Sequence, residues 1–354
     1  DVYKRQGISF DELLLQWRGH ENGFTQGRDR SFHFGSIPHH IVGMISHLGA
    51  MLSVADGIAL AHKLNKRKKV SLAFTGEGGT SEGEFHEALN LAAVWDLPVI
   101  FLVEHNGYGL STPSKDQFRC ENVADKGIGY GIESKIIDGN NVLEVHSTIK
   151  EIAKDLRKKP RPFLLECKTF RMRGHEEASG TKYVPQELLD EWATKDPITN
   201  FEEYLLADEK LKQELEAYKQ DLKSSIDASA KSLLERYTLS PDINKEIAEV
   251  YAPYAHVESS PNGSTKEVRF IDAIADGMDL AMEAHPELVL MGQDIAEYGG
   301  VFKITDGLTE KYGKDRVRNT PISEAAPLGA ALGMSIGGMK TMVEMQFADF
   351  VSCG

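Results

Sequence analysis

Short apolar runs alternate with a helical pattern in the first half of the chain. The segments KVSLAFT at 69–75 and PVIFLV at 98–103 are mainly apolar and have the length of buried strands. Between them, apolar residues recur at the three- and four-residue spacing of one helix face, at Phe85, Ala88, Leu89, Ala92 and Trp95. This order predicts a right-handed crossover that joins two parallel strands.

Three further patterns extend this predicted unit. Residues 41–63 are mostly small and apolar, which predicts a closely packed, buried helix. Ser81, followed three residues later by Glu84, predicts a capping box at the start of the crossover helix. The run FLLECKTFRM at 163–172 predicts a third strand, and a polar turn follows it as one follows each of the other two.

The second half of the chain changes character twice. Residues 204–254 are rich in Lys, Glu, Leu and Ala with weak periodicity, which predicts solvated helices, and 257–265 has the composition of a linker. A second α/β unit is predicted from residue 266, with a helix at 270–285, a strand at 288–292, a helix of small residues and a strand at 340–347. The predicted fold class is α/β, with two modules that each hold a mainly parallel sheet flanked by helices.

Composition narrows the class of protein. The net charge is −14, which argues against a nucleic-acid-binding protein because such proteins need a basic face. Three cysteines without CxxC spacing argue against a disulfide framework or a zinc site and favour a cytoplasmic location. No run approaches the roughly 18 apolar residues of a membrane helix, so no membrane association is expected.

Both ends of the sequence indicate a fragment. The opening DVYKRQ does not lead into the sequence that follows, and we interpret residues 1–6 as a sequencing artefact. The other end stops shortly after a strand-like alternation. We expect the second module to be truncated and the fragment by itself to be inactive.

Polar, glycine-rich turns follow the two strands of the predicted crossover. Glu77 lies in the first turn and Asn106 in the second, 29 residues apart. Ligands of open parallel sheets bind beyond the carboxyl ends of the strands, and Mg²⁺ prefers carboxylate and other oxygen ligands. The pair therefore favours a site for Mg²⁺ and a diphosphate. The alternative for Gly-Glu-Gly taken alone is a solvated surface turn.

These turns carry a resemblance to a known family. A Gly-Asp-Gly motif followed by Asn-Asn marks the diphosphate-binding half of thiamine-diphosphate enzymes, and the turns at 76–78 and 105–106 resemble it. The run TSEGEFHEALNLAAVWDLPVIFLVEHNGYGLSTP is similar to the α subunit of the 2-oxo acid dehydrogenase, the first component of the pyruvate and branched-chain complexes. The runs GQDIAEYGGVFKITDGL, NTPISEAAPLG and VEMQFADF are similar to its β subunit. The chain thus resembles the fused αβ form known from bacteria.

The resemblance covers residues 7–354 and implies a domain organisation. Residues 7–200 are expected to form the diphosphate-binding module, 201–265 a helical connection and linker, and 266–354 the start of a pyrimidine-binding module. The implied cofactors are thiamine diphosphate and Mg²⁺.

The resemblance also implies which residues hold the cofactors. The metal ligands are expected to be the side chains of Glu77 and Asn106 and the backbone carbonyl of Tyr108. The expected cofactor-binding residues are Ser46, Leu48, Gly76, Glu77, Gly78, Gly79, Asn106, Arg171 and Phe350. Within that set Arg171 matches an arginine that binds the diphosphate, and Phe350 matches an aromatic residue that packs on the pyrimidine. Ser46 and Leu48 lie where backbone groups hold the aminopyrimidine.

Two catalytic residues are implied in the same way. Glu324 matches the glutamate that bonds the pyrimidine ring, and His175 matches the loop histidine at the mouth of the active site. Taken without its flanking match, Glu324 is equally consistent with the cap of the small-residue helix. His175 is also consistent with a loop histidine held by neighbouring arginines, Phe350 with a core residue, and His33 with ordering of its own loop.

The chain departs from the family pattern at three of these positions. Glu77 is one methylene longer than the usual Asp, and because Mg²⁺ geometry is demanding we expect retained but weaker metal binding. His105 replaces the first Asn of the pair, which is not a metal ligand in the family, so a small effect is expected. Glu176 follows His175 where many relatives carry a serine, which removes a phosphorylation site.

The implied activity is oxidative decarboxylation of a 2-oxo acid with reductive acylation of a lipoyl group. The implied partners are the 2-oxo acid and the lipoyl domain of a dihydrolipoyl transacylase, and a homodimer is expected for the full-length protein. Two alternatives remain open at this point: another thiamine-diphosphate enzyme of the transketolase type, or an inactive fragment that holds no cofactor.

Overall fold

The computed structural model describes residues 2–29, 33–176, 178–238, 240–256, 258, 260 and 263–354. Its helices are α1 (Val2–Arg5), α2 (Phe10–Trp17), α3 (Ala50–Leu64), α4 (Gly83–Val94), α5 (Lys126–Gly129), α6 (Val142–Leu156), α7 (Gln186–Ala193), α8 (Pro197–Leu206), α9 (Glu209–Arg236), α10 (Ile243–Ala248), α11 (Phe270–Ala284), α12 (Leu308–Tyr312) and α13 (Ala325–Ile336). Its strands are β1 (Ser71–Gly76), β2 (Val99–His105), β3 (Tyr108–Gly109), β4 (Thr112–Pro113), β5 (Glu133–Asp138), β6 (Phe163–Lys168), β7 (Leu288–Gly292), β8 (Val317–Asn319) and β9 (Lys340–Glu344). Of the predicted linker at 257–265, Val257, Ser259, Pro261 and Asn262 lie outside the described residues.

The chain forms two compact units. One consists of Asp1–Ser46 and Tyr204–Glu267, and the other of His47–Glu203 and Val268–Gly354. We call the second of these the sheet unit, because its residues form both of the larger sheets. The domain limits expected from the sequence follow chain order and stay a prediction.

The sheet unit contains the predicted parallel sheets. The four-stranded sheet has the order β1-β2-β6-β5, and all of its neighbours are parallel. The crossover β1-α4-β2 pairs Ser71 with Val99 and Gly76 with Glu104, so the two strands end at the same edge. A three-stranded parallel sheet has the order β8-β7-β9. The predicted α/β class with mainly parallel sheets is confirmed.

The four-stranded sheet is covered on both faces, as its continuous apolar strands require. One cluster of buried residues joins alternate β2 residues, such as Phe101 and Val103, to apolar residues of α3 and α4. A second cluster joins Ile100 and Leu102 to α6, including Leu156. These two layers hold the strand ends, and hence the polar turns, in fixed positions.

Glycines bring α3 and α13 close together within the sheet unit. A β-carbon at Gly57 would collide with the carbonyl oxygen of Ala330, and one at Gly333 would collide with the carbonyl oxygen of Val54. Only residues without a side chain allow two helix backbones to approach so closely. The small-residue helix predicted for the second module is therefore a packing surface for the helix that precedes β1.

The other unit is built around α2 and α9. Ile8, Leu13 and Phe34 form its buried apolar cluster. The Arg18 guanidinium, at the end of α2, donates hydrogen bonds to the carbonyl oxygens of Leu233 and Tyr237 at 3.3 and 3.2 Å. Across all described residues, no helix is long and apolar enough to span a membrane.

Two local predictions are wrong. The predicted capping box does not form, because α4 begins at Gly83 with Glu82 at its N-cap, and Ser81 instead donates to the carbonyl oxygen of Gln117 at 3.1 Å. The helix predicted at 41–63 begins only at Ala50, directly after Gly49, which has a positive φ of 88°. In both cases a glycine-containing turn takes up residues that the apolar pattern assigned to the helix.

Candidate cofactor and metal site

The first turn of the site buries a carboxylate at the end of β1. Glu77 follows Gly76 directly, and it is 1% exposed. Its Oε2 accepts a hydrogen bond from the backbone N–H of Asn106 at 3.1 Å, so the two predicted turns meet. Its Oε1 is buried and has no hydrogen-bond partner within the part of the chain that the structure describes. A buried carboxylate oxygen without a donor is costly unless a cation or another donor approaches it.

The second turn presents oxygen atoms next to this carboxylate. The Asn106 Oδ1 accepts a hydrogen bond from the Tyr108 backbone N–H at 3.2 Å, which fixes the amide but leaves a second lone pair on that oxygen. Gly107 has a positive φ of 90°, a conformation that favours glycine. The turn is closed by a hydrogen bond from the Ser114 N–H to the Gly107 carbonyl at 3.0 Å. Asn106 and Tyr108 are thus held beside Glu77.

The glycines of the first turn permit the close approach. A β-carbon at Gly78 would lie 3.1 Å from the Cα of Gly109, so a side chain there would press on the second turn. A β-carbon at Gly79 would lie 2.4 Å from the Thr75 hydroxyl oxygen and 3.9 Å from the Cβ of Leu48, so Thr75 is the neighbour that requires a glycine there. Leu48 itself is 61% exposed. Ser46 belongs to the other compact unit.

Arg171 and His175 lie together in the loop that follows β6. The Arg171 guanidinium donates to the carbonyl oxygen of Leu110 at 2.5 Å and to the Tyr183 hydroxyl at 3.1 Å, and its Nη1 lies 3.3 Å from the His175 Nδ1. The ring of Tyr183 also contacts the ring of Tyr108, with centroids 5.7 Å apart. Among the described residues, none provides an acceptor for the buried Arg171 Nε. The predicted arginine therefore joins the second turn and retains a free N–H donor.

His105 is fixed by a buried carboxylate on the neighbouring strand. Its Nδ1 lies 2.5 Å from Glu166 Oε1, and its Nε2 lies 2.9 Å from the Ser114 hydroxyl. The Lys168 ammonium lies 2.6 Å from the same Glu166 oxygen, and the Ala124 N–H donates to the other at 2.8 Å. Burial alone would raise the pKa of Glu166, but the bonds from His105, Lys168 and Ala124 outweigh it and lower the pKa to about 2.

The remaining predicted residues make other contacts. Glu324 is half-buried at the N-cap of α13, where the backbone N–H groups of Ala325 and Ala326 donate to Glu87 Oε2 at 3.1 and 2.9 Å. Phe350 contacts the ring of Phe347 at a centroid distance of 5.6 Å. Within the described part of the chain, Glu324 makes no hydrogen bond or ion pair with the two turns. In the other unit, His33 Nδ1 lies 3.3 Å from Asp29 Oδ2.

The two turns fit a magnesium ion and a diphosphate. Mg²⁺ is commonly bound by one or two carboxylates, other oxygens, water and phosphate oxygens. Glu77 Oε1 and Asn106 Oδ1 are oxygens of this kind, and Oε1 is the one that no hydrogen-bond donor reaches within the described residues. In the described ranges, no group of three or more His, Cys, Asp or Glu side chains could hold a metal ion, so the fit depends on amide and backbone oxygens.

Sequence reasoning missed Glu166 and Glu87. Glu166 lies within an otherwise apolar strand run, and a lone carboxylate in such a run is itself a signal of a buried polar contact. Its partners could not be identified, because they depend on β6 pairing with β2 rather than on sequence spacing. Glu87 gave no signal, since it lies on the polar side of a predicted amphipathic helix.

Comparison with known families assigns both parts of the chain. Residues 2–240 match the family described as the dehydrogenase E1 component. Residues 266–353 match the transketolase pyrimidine-binding domain. The two matches follow one another in the α-then-β order that the sequence resemblance predicts.

Individual relatives agree with these matches. The chain is 35% identical over 202 residues to the α subunit of acetoin:2,6-dichlorophenolindophenol oxidoreductase of Bacillus subtilis, covering 57% of this chain and 61% of that protein. It is 32% identical over 254 residues to the mitochondrial 2-oxoisovalerate dehydrogenase subunit alpha 2 of Arabidopsis thaliana, covering 70% of this chain and 52% of that protein. It is 29% identical over 227 residues to the pyruvate dehydrogenase E1 component subunit alpha of Rickettsia bellii, with 63% and 70% covered. The chain thus spans between about half and seven tenths of the length of these relatives. Because the family match covers more than half of its residues, the chain belongs to the dehydrogenase E1 component family.

Proposed function

We propose that the protein decarboxylates a 2-oxo acid with bound thiamine diphosphate and Mg²⁺ and transfers the acyl group to a lipoyl group. Membership of the dehydrogenase E1 component family and similarity to 2-oxoisovalerate and pyruvate dehydrogenase α subunits support this activity. The lipoyl domain of a dihydrolipoyl transacylase is the proposed partner. A homodimer of the full-length protein and a cytoplasmic location belong to the same proposal.

One observation carries the cofactor assignment. Glu77 is buried, its Oε2 is held by the Asn106 N–H, and its Oε1 has no partner. The carboxylate is thus presented at the carboxyl ends of two adjacent parallel strands with one oxygen available for a cation. We assign Mg²⁺ to Glu77, Asn106 and the Tyr108 carbonyl.

The chain's own residues have distinct proposed tasks around the cofactor. When bound, thiamine diphosphate supplies the electron sink that decarboxylation requires. Arg171, with its unpaired Nε–H, is proposed to bind the diphosphate together with the backbone of Gly76, Gly78 and Gly79. The backbone groups of Ser46 and Leu48 are proposed to hold the aminopyrimidine.

The two proposed catalytic groups have different tasks. Glu324 is proposed to hydrogen-bond the pyrimidine ring, with Phe350 packing on that ring. His175 is proposed to orient and exchange a proton with the group that is transferred to lipoamide. The contact between His175 and Arg171 supports a location of this histidine beside the diphosphate end of the site.

Acetoin is a second candidate substrate. The similarity to the acetoin:2,6-dichlorophenolindophenol oxidoreductase α subunit favours it. A 2-oxo acid and acetoin differ at the group that leaves, a carboxylate in one and a neutral two-carbon unit in the other. Dye-reduction assays of a longer version of the protein that carries the complete second module, with pyruvate, 3-methyl-2-oxobutanoate and acetoin as separate substrates, distinguish these candidates.

Calorimetric titration of the 354-residue chain with thiamine diphosphate in the presence of Mg²⁺ tests the cofactor site. We expect saturable binding that EDTA abolishes, and we expect Asn106→Ala to weaken it by roughly tenfold or more, because a metal ligand is lost. Asn200→Ala, which removes an exposed amide of α8, serves as the control. Binding that is independent of Mg²⁺ and unchanged in Asn106→Ala would show that the two turns are not the metal site.

A further inference from the structure

A basic depression lies at the opposite end of the four-stranded sheet from the Glu77 turn. It has a volume of about 140 Å³, and its floor includes the buried side chain of Leu156 and the buried Pro98. The residues that lead into β1 and β2 line it, whereas Glu77 follows the last residue of β1. A strand of this length spans roughly 16–20 Å, so the depression and the cofactor site are separate.

Cations from two distant segments of the chain converge on this depression. Lys66, Arg67, Lys68 and Lys69 follow the end of α3, and Arg157 follows the end of α6. All five are exposed. Within the described residues, none of the five makes an ion pair or a side-chain hydrogen bond. Such a concentration of unpaired positive charge is unexpected in a chain with a net charge of −14.

The partial negative charges at the ends of two helices offset only part of this positive charge. The ends of α3 and α6 each place a partial negative charge of about one half near the depression, about one charge in total. Lys63 supplies a cation for other carbonyl groups in the same region, since its ammonium donates to the carbonyl oxygens of Trp95 and Asp96 at 2.7 and 3.2 Å. The nearby Asp155 is already paired with Arg161 at 2.7 Å. Several positive charges therefore remain for a ligand.

We propose that this depression binds an oligophosphate group, meaning two or more linked phosphates that are free or carried by a nucleotide. Linked phosphates place several negative charges within the volume of this depression, and lysine and arginine are the side chains that bind them. An acidic polypeptide fits less well, because side chains on one face of an extended chain are roughly 7 Å apart. Such a chain could place only one or two carboxylates inside the depression.

The test is calorimetric titration of the whole chain with inorganic tripolyphosphate in EDTA, so that Mg²⁺ does not support binding at the Glu77 turn. We expect saturable binding that weakens as salt rises, because exposed charges are screened. The triple variant Lys66→Ala, Lys68→Ala, Arg157→Ala is expected to bind roughly tenfold more weakly or worse. The matched control removes three exposed lysines of α9, as Lys210→Ala, Lys223→Ala, Lys231→Ala, and it should bind within about twofold of the parent.

Two further titrations distinguish the possible binding sites and ligands. Asn106→Ala should bind tripolyphosphate as the parent does, which distinguishes this site from the proposed magnesium–diphosphate site. ATP binding more tightly than tripolyphosphate would indicate a nucleotide ligand, and equal binding would indicate recognition of phosphate alone. Equal losses in the patch variant and the α9 control would overturn the proposal, and so would tighter binding of a poly-glutamate peptide than of tripolyphosphate.

Discussion

Glu77 and Glu166 are both buried carboxylates near the carboxyl ends of strands in one parallel sheet, yet their surroundings differ. Glu166 has no exposed surface, and its two oxygens contact His105, Lys168 and the Ala124 N–H. Glu77 receives one backbone N–H, and its other oxygen is bare. Both carboxylate oxygens of Glu166 are thus paired by groups of the protein. Only one of the two Glu77 oxygens is paired in this way.

This difference separates a carboxylate whose oxygens are both paired within the fold from one that we propose binds a ligand. Removing a carboxylate from water is costly, and the cost is offset only when charges or hydrogen bonds replace the water. Asp56 extends the comparison, because it is fully buried within α3 and both of its oxygens lack partners. Its helical neighbours one turn away, Leu52 and Leu60, belong to the apolar core. Asp56 thus lies among apolar neighbours, and burial raises its pKa well above the usual value.

The largest effect on stability is expected for Glu166→Ala. The substitution leaves His105, Lys168 and the Ala124 N–H without their shared acceptor in a site that excludes water. Breaking a buried pair in this way costs about 3–5 kcal/mol of the free energy of unfolding. Urea unfolding monitored by circular dichroism measures it, and Glu133→Ala is the control. Glu133 contacts Arg161 at 2.7 Å on the surface, so its loss should cost no more than about 1 kcal/mol.

The pH dependence of stability gives a second measurement on Glu166. Its pKa of about 2 in the folded protein lies below the ordinary value of 4.5. A lowered carboxylate pKa contributes stability that is present above the unfolded value and is lost as the pH falls through the folded value. The parent should therefore lose its advantage over Glu166→Ala progressively between pH 4.5 and about 2. A difference that stays constant over this range would contradict the ionised network.

An intermediate effect of opposite sign is expected for Asp56→Asn. A raised carboxylate pKa contributes stability that is present below the unfolded value and is lost as the pH rises towards the folded value. At pH 7 the parent therefore carries the cost of a buried acid that is ionised when unfolded, and the amide variant should be about 1–3 kcal/mol more stable. The difference in the free energy of unfolding between Asp56→Asn and the parent should shrink by up to about 1.4 kcal/mol per pH unit as the pH falls towards 4.

Thermal unfolding at pH 5, 6 and 7 provides the measurement for Asp56→Asn. The control is Asp276→Asn, because Asp276 is exposed on a helix of the same unit and should not change the pH slope. A variant that is less stable than the parent at every pH would mean that the Asp56 carboxylate has a partner, and the contrast with Glu166 would then fail.

The meeting of the Glu77 and Asn106 turns could be predicted from sequence, whereas their binding of cofactor and metal stays a prediction and the surrounding network depends on tertiary contacts. Glu77 and Asn106 were identifiable because short apolar runs fix two strand ends and parallel strands meet at one edge. The Glu166 network could not be identified from sequence. It requires β6 to lie beside β2, and the order of the strands along the chain does not specify this pairing. The capping box failed because a 3₁₀ turn at Gly78–Ser81 intervenes before α4. Strand β5 was not predicted, because most of its residues are polar or exposed. Helix α6 was also not predicted, although Val145, Ile149, Ile152 and Leu156 recur at helical spacing.

The smallest effect on stability, and the sharpest test of the comparison, is expected for Glu77→Gln. The amide oxygen can still accept the hydrogen bond from the Asn106 N–H, and a neutral amide costs less to bury than a carboxylate. The free energy of unfolding without cofactor should change by less than about 1 kcal/mol. Magnesium-dependent binding of thiamine diphosphate should nevertheless weaken roughly 10- to 100-fold, because the charged metal ligand is gone.

Glu166→Gln is the matched control for Glu77→Gln, since it makes the same chemical change in the saturated carboxylate. It should destabilise the fold by more, because the Lys168 ammonium loses its counter-charge, and it should affect magnesium binding by less. Urea unfolding measures the free energy of unfolding of both variants, and calorimetric titration measures their magnesium-dependent affinity for thiamine diphosphate. If Glu77→Gln destabilised the apo protein as much as Glu166→Gln did, the unpaired oxygen of Glu77 would be part of the fold's own network, and the division between the two carboxylates would not hold.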